Sequence, residues 1–236
     1  MRRLAKSARL ARTPIYRRGL FAGVAAAIEH ESALRGLEVG EIIDVGANKG
    51  QFSLVARRLF PDARIHAFEP LGEPFSRFRA LFGDDEKTTC HQVALGESPG
   101  RATIHISGQA DSSSLLPITP LQDHLFPGTK EVATRSIDVA RGDDFFQEGR
   151  PNDQVLIKLD VQGFELVALS GLQTTLSRSR YVYTEVSFQE LYMGQALAHD
   201  VIGWLGDRGF RLRGVYNLST DMAGAPVYAD FLFSRA

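Results

Sequence analysis

The chain has 236 residues, 44% of them apolar and 23% charged, with a net charge of −1. That length suits one domain with a sizeable core, or one domain with a short appendage. The near-neutral balance speaks against a nucleic-acid partner, and one cysteine, Cys90, excludes an intrachain disulfide and favours a reducing compartment such as the cytoplasm.

The charge is unevenly spread. Residues 1–18 hold seven Lys/Arg and no acid, which leaves 20 basic (27 less 7) against 28 acidic residues in the rest. A basic leader on an acidic body suits peripheral contact with an anionic membrane, at the inner face if the protein is cytoplasmic. LFAGVAAAI (20–28) after basic residues has the outline of a secretory signal. However, Phe21, Val24, Ile28 and Leu34 recur at helical spacing, which predicts an amphipathic helix over 20–36 packed on the domain. Residues 1–36 thus form a leader and helix, and 37–236 the domain. No apolar run approaches the ~20 residues of a membrane span.

Strand and helix patterns then alternate. EIIDVG (41–46) reads as a strand, and 48–60 as a helix with Phe52, Val55 and Leu59 on one stripe, stopped by Pro61. RIHAFEP (64–70) is a strand, 73–82 a helix and TTCHQVAL (88–95) a strand. GESPGRATIHIS (96–107) predicts a turn and an added strand. Residues 107–130 are rich in Ser, Pro and Asp without any period, too long for a simple connector, and read as a functional loop or lid. EVATRSIDV (131–139) is a short strand. Strands at 154–161 and 180–188 alternate with helices at 163–176 and 199–209, and two strands, 210–217 and 226–235, close the chain. This order predicts a single α/β domain: a doubly wound, mostly parallel sheet with an antiparallel strand at the end.

Ligands in such sheets sit beyond the carboxyl ends of the strands, where strand order reverses. EIIDVGANKGQF (41–52) ends an apolar run in Asp44, an expensive residue to bury unpaired. The backbone of Gly46-Ala47-Asn48 opens the next helix, and Gly50 follows. Glu69 ends the second strand, where an acid accepts hydrogen bonds from both hydroxyls of a ribose. The G-x-G-x-x-G pattern of a dinucleotide site is missing, and Asp44 would repel a pyrophosphate. An acid, a glycine turn and a ribose-binding acid together suit S-adenosylmethionine, a cationic cofactor.

In these motifs the chain resembles the FkbM-type methyltransferases, within the class I S-adenosylmethionine-dependent fold. The likeness covers 41–236 and rests on IIDVGANKGQFS, IHAFEP, VALGESPG, DSSSL, VLIKLDVQGFELVALSGL, YTEVSF and ADFLF. The family usually shows KLDVEGFE where this chain has KLDVQGFE, so Gln162 replaces a common acid. The resemblance implies a seven-stranded Rossmann-like sheet, with an antiparallel C-terminal strand, behind an N-terminal helical extension. It implies an O-methyltransferase acting on a hydroxyl, often of a sugar in a glycolipid, polysaccharide or glycosylated natural product. Asp44, Gly46, Asn48 and Gly50 would then frame the methionine part and Glu69 the ribose, with Pro70, Ala94 and Leu95 by the adenine. Ala47, Phe52, Ser113 and Asp160 complete the expected cofactor contacts.

Acceptor residues are expected at neighbouring strand ends. Lys158 and Asp160 share one strand face, and Glu185 ends the next strand. Asp160 and Glu185 would position and deprotonate the acceptor, with Lys158 beside them, or alternatively hold a divalent cation, which is not favoured. No residue is assigned as a metal ligand. Asp111 and Ser112–Ser114 would close over the cofactor, and His124, His199 and Tyr192 are further candidates for the acceptor pocket. The partner expected is a small molecule or glycan. Two other readings stand beside this one: a nicotinamide-dependent oxidoreductase, and a non-catalytic cofactor-binding subunit.

Overall fold

A computed structural model describes residues 9–146 and 154–235. Residues 1–8 of the basic leader lie outside that range. The predicted helix over 20–36 is not continuous. A helix α1 (Pro14–Phe21) ends where Gly23 takes φ +72°, with Val24 N–H closing onto Gly19 O. A left-handed glycine of this kind is a common helix stop. An extended stretch, a 3-10 turn (Ile28–His30) and a four-residue helix α2 (Glu31–Leu34) follow. Phe21 faces solvent at 85% exposure, whereas Tyr16, Val24 and Leu34 enter the main core. Glu31 pins this segment to the domain: its buried carboxylate accepts from Tyr16 Oη at 2.6 Å and from Arg58 Nη1 at 3.2 Å, and pairs with Arg9.

The domain alternates as the sequence predicts. β1 (Glu41–Val45), α3 (Gln51–Leu59), β2 (Arg64–Phe68), α4 (Gly72–Phe82) and β3 (Thr88–His91) form its first half. β7 (Val155–Leu159), α6 (Glu165–Ser170), α7 (Gln173–Arg178), β8 (Ser179–Ser187), α8 (Ala198–Gly206), β9 (Phe210–Thr220) and β10 (Pro226–Arg235) form the second. The strands make one seven-stranded sheet in the order β3-β2-β1-β7-β8-β10-β9. Only β10 runs antiparallel to its neighbours. Period-two alternation explains the apolar runs: Ile42 and Leu156 face one core, Ile43 and Ile157 the other.

Two predicted elements divide. Residues 88–95 split into β3 and β4 (Ala94–Gly96), because β4 leaves the main sheet for a three-stranded one, ordered β4-β6-β5. Its partners are β5 (Gly100–Ser107) and β6 (Glu131–Arg141), and between them the loop carries a short helix α5 (Pro120–Leu125), opened by its proline. The predicted helix 163–176 breaks at Gly171, which packs on the small sheet so closely that a Cβ would stand 2.0 Å from Gly96 O.

Candidate active site

The chain runs outward from β1 on one side through β2 to β3, and returns on the other through β7 to β8, so order reverses between β1 and β7. At that point the strand ends are laced together. Gly46 and Ala47 N–H both donate to Phe68 O at 3.0 Å, and Asp160 N–H donates to Val45 O at 3.1 Å. Asn48 at φ +49° and Gly50 at φ +96° then turn the chain into α3. This turn aims Asn48 N–H at Glu69 Oε2, 3.0 Å away, while Leu71 N–H donates to Glu69 Oε1 at 2.8 Å. Burial pushes the Glu69 carboxyl up to about 7, against the lowering effect of these two bonds.

Above these ends lies a cavity of about 390 Å³. Gly46, Ala47, Asn48, Phe52, Glu69 and Pro70 line it, as do Ala94, Leu95, Ser113, Lys158 and Asp160. Three of the residues expected as cofactor contacts or catalytic groups do not reach it, nor do Ser112, His124, Tyr192 and His199. Asp44 lies beneath the wall with no solvent exposure, accepting from Ser53 Oγ at 2.7 Å, with Lys158 Nζ 3.0 Å from its Oδ1. The burial cost foreseen for Asp44 is thus met by an ion pair, set by the register that places Asp44 beside Lys158. Lys158 also donates to Gly46 O at 2.9 Å and stands 5.5 Å over the Phe52 ring. Burial would lower its pKa, but Asp44 and Asp160 raise it, so it stays a cation that ties the glycine turn to the sheet. Gly50 packs against α4, where a Cβ would meet Phe82 at 2.8 Å.

Glu185 is the third, and its carboxylate meets Gln162, which does line the cavity. The Gln162 amide donates to Asp160 Oδ1 at 2.6 Å and lies 3.3 Å from Glu185 Oε1, while Tyr192 Oη donates to Gln162 Oε1 at 2.6 Å. An amide here separates two carboxylates that a third acid would crowd. Burial, with Asp160, Asp230 and Glu165 nearby, still pushes Glu185 well above the usual carboxylate range. Lys158 and Asp160, expected to share a face, have separate partners.

The 107–130 loop covers the site with Asp111, Ser113 and Ser114 on the cavity wall. Ser114 Oγ donates to Gln162 O at 2.7 Å, and Ser107 N–H donates to Ser113 Oγ at 3.1 Å. His124 and His199 are exposed and lie away from the cavity. Among the described residues no group of three or more His, Cys, Asp or Glu is arranged to hold a metal ion.

One wall was not foreseen. Ala25–Ala27, Glu29 and His30, from the N-terminal segment, also line the cavity. His30 Nδ1 stands 2.9 Å from Tyr183 Oη and 3.2 Å from Asp230 Oδ2, to which Asn217 Nδ2 donates at 2.7 Å. Burial would raise the Asp230 carboxyl, yet hydrogen bonding with His30, Asn217 and Tyr183 holds it below its usual value. No linear pattern marks His30, because its partners arrive on β8, β9 and β10.

The wall fits S-adenosylmethionine. Asn48 Oδ1 is buried and meets no partner among the described residues, so it offers an open acceptor. Glu69 has lone pairs left that could accept from a ribose diol, and Pro70, Ala94 and Leu95 give the wall apolar surface that could meet a purine. Asp160 puts a carboxylate on the wall that could face a cationic group. The sheet order is that of a class I, Rossmann-like methyltransferase fold. The chain belongs to the methyltransferase FkbM domain family, whose profile matches residues 44–212.

It is 33% identical to a 2-O-methyltransferase, NoeI, of Sinorhizobium fredii (strain NBRC 101917 / NGR234), over 65% of this chain and 66% of that protein. It is 30% identical to Methyltransferase 1 of Beauveria bassiana (strain ARSEF 2860), over 56% of this chain and 57% of that protein. The match thus spans less than two thirds of the length of each of these curated relatives, 66% of the first and 57% of the second. Among solved structures, a precorrin-6y C5,15-methyltransferase of Geobacter metallireducens GS-15 is similar at TM-score 0.49 and 15% identity, over 87% of this chain and 84% of that one.

Proposed function

We propose that the protein transfers the methyl group of S-adenosylmethionine to a hydroxyl of a sugar-bearing acceptor, in a glycolipid, a polysaccharide or a glycosylated natural product. The observation that carries this reading is Glu69, fixed by two backbone N–H groups on the wall of a cavity that Asp160 also lines. When bound, the cofactor supplies a methyl group activated by a sulfonium. Glu69 and Asn48 orient the nucleoside, and Asp160 with Gln162 orders the polar floor. The 107–130 loop shields the reacting atoms from water, so much of the rate comes from positioning. A floor of hydrogen-bonding side chains suits a polyol better than an apolar acceptor, and the similarity to a 2-O-methyltransferase supports a hydroxyl. Methyl-labelled S-adenosylmethionine incubated with an extract of cellular glycolipids and polysaccharides, read by mass spectrometry, tests it. Label on nitrogen or carbon atoms only, or no label, would remove the reading.

Glu69→Ala is expected to weaken S-adenosylmethionine binding by roughly ten- to a hundred-fold, since charged hydrogen bonds contribute about 1.5–3 kcal/mol each. The pH dependence has a definite sign. A diol donates best to the ionised carboxylate, so affinity falls as pH drops through about 7, the value burial imposes on Glu69. Between pH 8 and pH 6 the loss is about ten-fold, and Glu69→Gln flattens it. Titration calorimetry at the two pH values reads both effects, and an unchanged affinity in Glu69→Ala would overturn the ribose assignment.

A second reading concerns where the acceptor resides. We infer peripheral contact with an anionic membrane through the outer face of α1. There Leu20 (40% exposed) and Phe21 stand beside the exposed Arg17 and Arg18. No helix among the described residues is long and apolar enough to cross a membrane. Each arginine near such a surface contributes about 1 kcal/mol. The full chain carrying Arg17→Gln, Arg18→Gln and Phe21→Ser is expected to sediment at least about ten-fold less with phosphatidylserine vesicles at low salt. Equal sedimentation would exclude α1 as the contact.

A further inference from the structure

We propose that His30 is the catalytic base that takes the proton of the acceptor hydroxyl, with Asp230 as its positioning residue. The inference rests on the methyl-transfer reading and concerns the same cavity, but it uses a wall that precedes the family-matched residues.

Three observations carry it. The first is orientation. The Nδ1 edge of His30 faces Asp230 Oδ2 at 3.2 Å and Tyr183 Oη at 2.9 Å. A carboxylate there holds the proton on Nδ1 and keeps Nε2, across the ring, as the lone-pair nitrogen. The second is rigidity. The imidazole makes edge contacts with Phe52 at 5.7 Å and Tyr183 at 5.6 Å between ring centroids, so the ring cannot swing freely. Asn217 meanwhile takes φ +48°, uncommon outside glycine, and donates to Asp230 at 2.7 Å. The third is the state of the competing groups. Lys158 is a paired cation, Asp160 is engaged by the Gln162 amide, and Glu185 lies behind that amide. His30 is the one imidazole among the residues lining the cavity.

The step balances with these groups and the bound methyl donor. The acceptor oxygen bonds to the methyl carbon, the carbon–sulfur bond pair stays on sulfur, and the hydroxyl proton passes to His30 Nε2. The imidazolium, stabilised by Asp230, then releases that proton to solvent. A base matched in this way contributes about 10²–10⁴ in rate.

The test uses the full chain with His30→Ala, His30→Gln and Asp230→Asn. Calorimetry with S-adenosylmethionine is expected to show unchanged cofactor affinity, which certifies the fold in each variant. Transfer of labelled methyl to the glycan extract should fall about 10²–10⁴-fold in both His30 variants and less in Asp230→Asn. Added imidazole should restore part of the rate in His30→Ala and none in His30→Gln, which leaves no space for it. Nitrogen-15 spectra of labelled histidine should show Nδ1 protonated and Nε2 bare in the unaltered protein, and a mixture in Asp230→Asn. Wild-type turnover in His30→Ala, a loss that imidazole does not relieve, loss of cofactor binding in both His30 variants, or a proton on Nε2 would each overturn the base. No transfer by the unaltered protein would remove the methyl-transfer reading, and the role of His30 with it. Transfer that survives in His30→Ala removes the base alone.

Discussion

Lys158→Met is expected to lower the stability of the fold by about 3–5 kcal/mol, the cost of leaving one member of a buried ion pair alone. The side chains of Lys158 and Asp44 are 6% and 0% exposed. Without the ammonium, Ser53 Oγ is the one hydrogen-bond donor to the Asp44 carboxylate among the described residues, and the side chain has no solvent exposure. The carbonyl of Gly46 loses its donor as well, so the turn that opens the cavity loosens. Asp44→Asn combined with Lys158→Met removes both charges and should recover most of the loss. Urea unfolding midpoints at pH 7 for the single and double variants read the difference. A wild-type midpoint in Lys158→Met would mean that the pair contributes nothing to holding the strands.

Asp44 shows how far the sequence could be read. A carboxylate closing the apolar run EIIDV demands a partner, and that demand is visible in one dimension. The identity of the partner is not, because it depends on the register that sets β1 beside β7. The same limit applies to His30. Its neighbours Tyr183, Asn217 and Asp230 come from three strands whose spatial order departs from chain order. Local punctuation was also decisive where periodicity misled. Phe21, Val24 and Ile28 keep helical spacing, yet Gly23 ends the helix before Val24. By contrast, the alternation of apolar strands and amphipathic helices is a local signal repeated many times. It led to the doubly wound sheet and to Gly46 and Glu69 at its carboxyl edge, whereas the short helix Pro120–Leu125 inside the 107–130 loop is not legible in a stretch without any period.

Gly46→Ala is expected to be the most damaging single methyl in the domain. Gly46 sits at φ +74°, where an L side chain costs about 1–2 kcal/mol by itself. A Cβ there would also stand 1.9 Å from Asp160 O and 2.9 Å from its carbonyl carbon. Both are backbone atoms, held by the Asp160 N–H bond to Val45 O, so no flexible side chain can give way. The strand ends must part, and with them the lacing that shapes the cavity floor. A stability loss above about 4 kcal/mol and at least about a hundred-fold weaker cofactor binding should follow. Gly36→Ala is the control: φ is +84°, but nothing lies within 4 Å of its Cβ, so about 1 kcal/mol is expected. Equal thermal midpoints for the two variants would show that contact with β7 is not what requires glycine at 46.

The placement of β10 has a consequence for how the molecule comes into being. β10 lies between β8 and β9, yet residues 226–235 are synthesised after both. Until they emerge from the ribosome, β9 has no strand to join and β8 presents an open edge rich in unpaired backbone groups. Contacts that span so much of the chain are slow to close, and such an edge invites association with other nascent chains. The half of the sheet that carries Glu69 can assemble early. Asp230, delivered by β10, cannot meet His30 until residues 226–235 have left the ribosome, so the pairing across the cavity is among the last that synthesis permits.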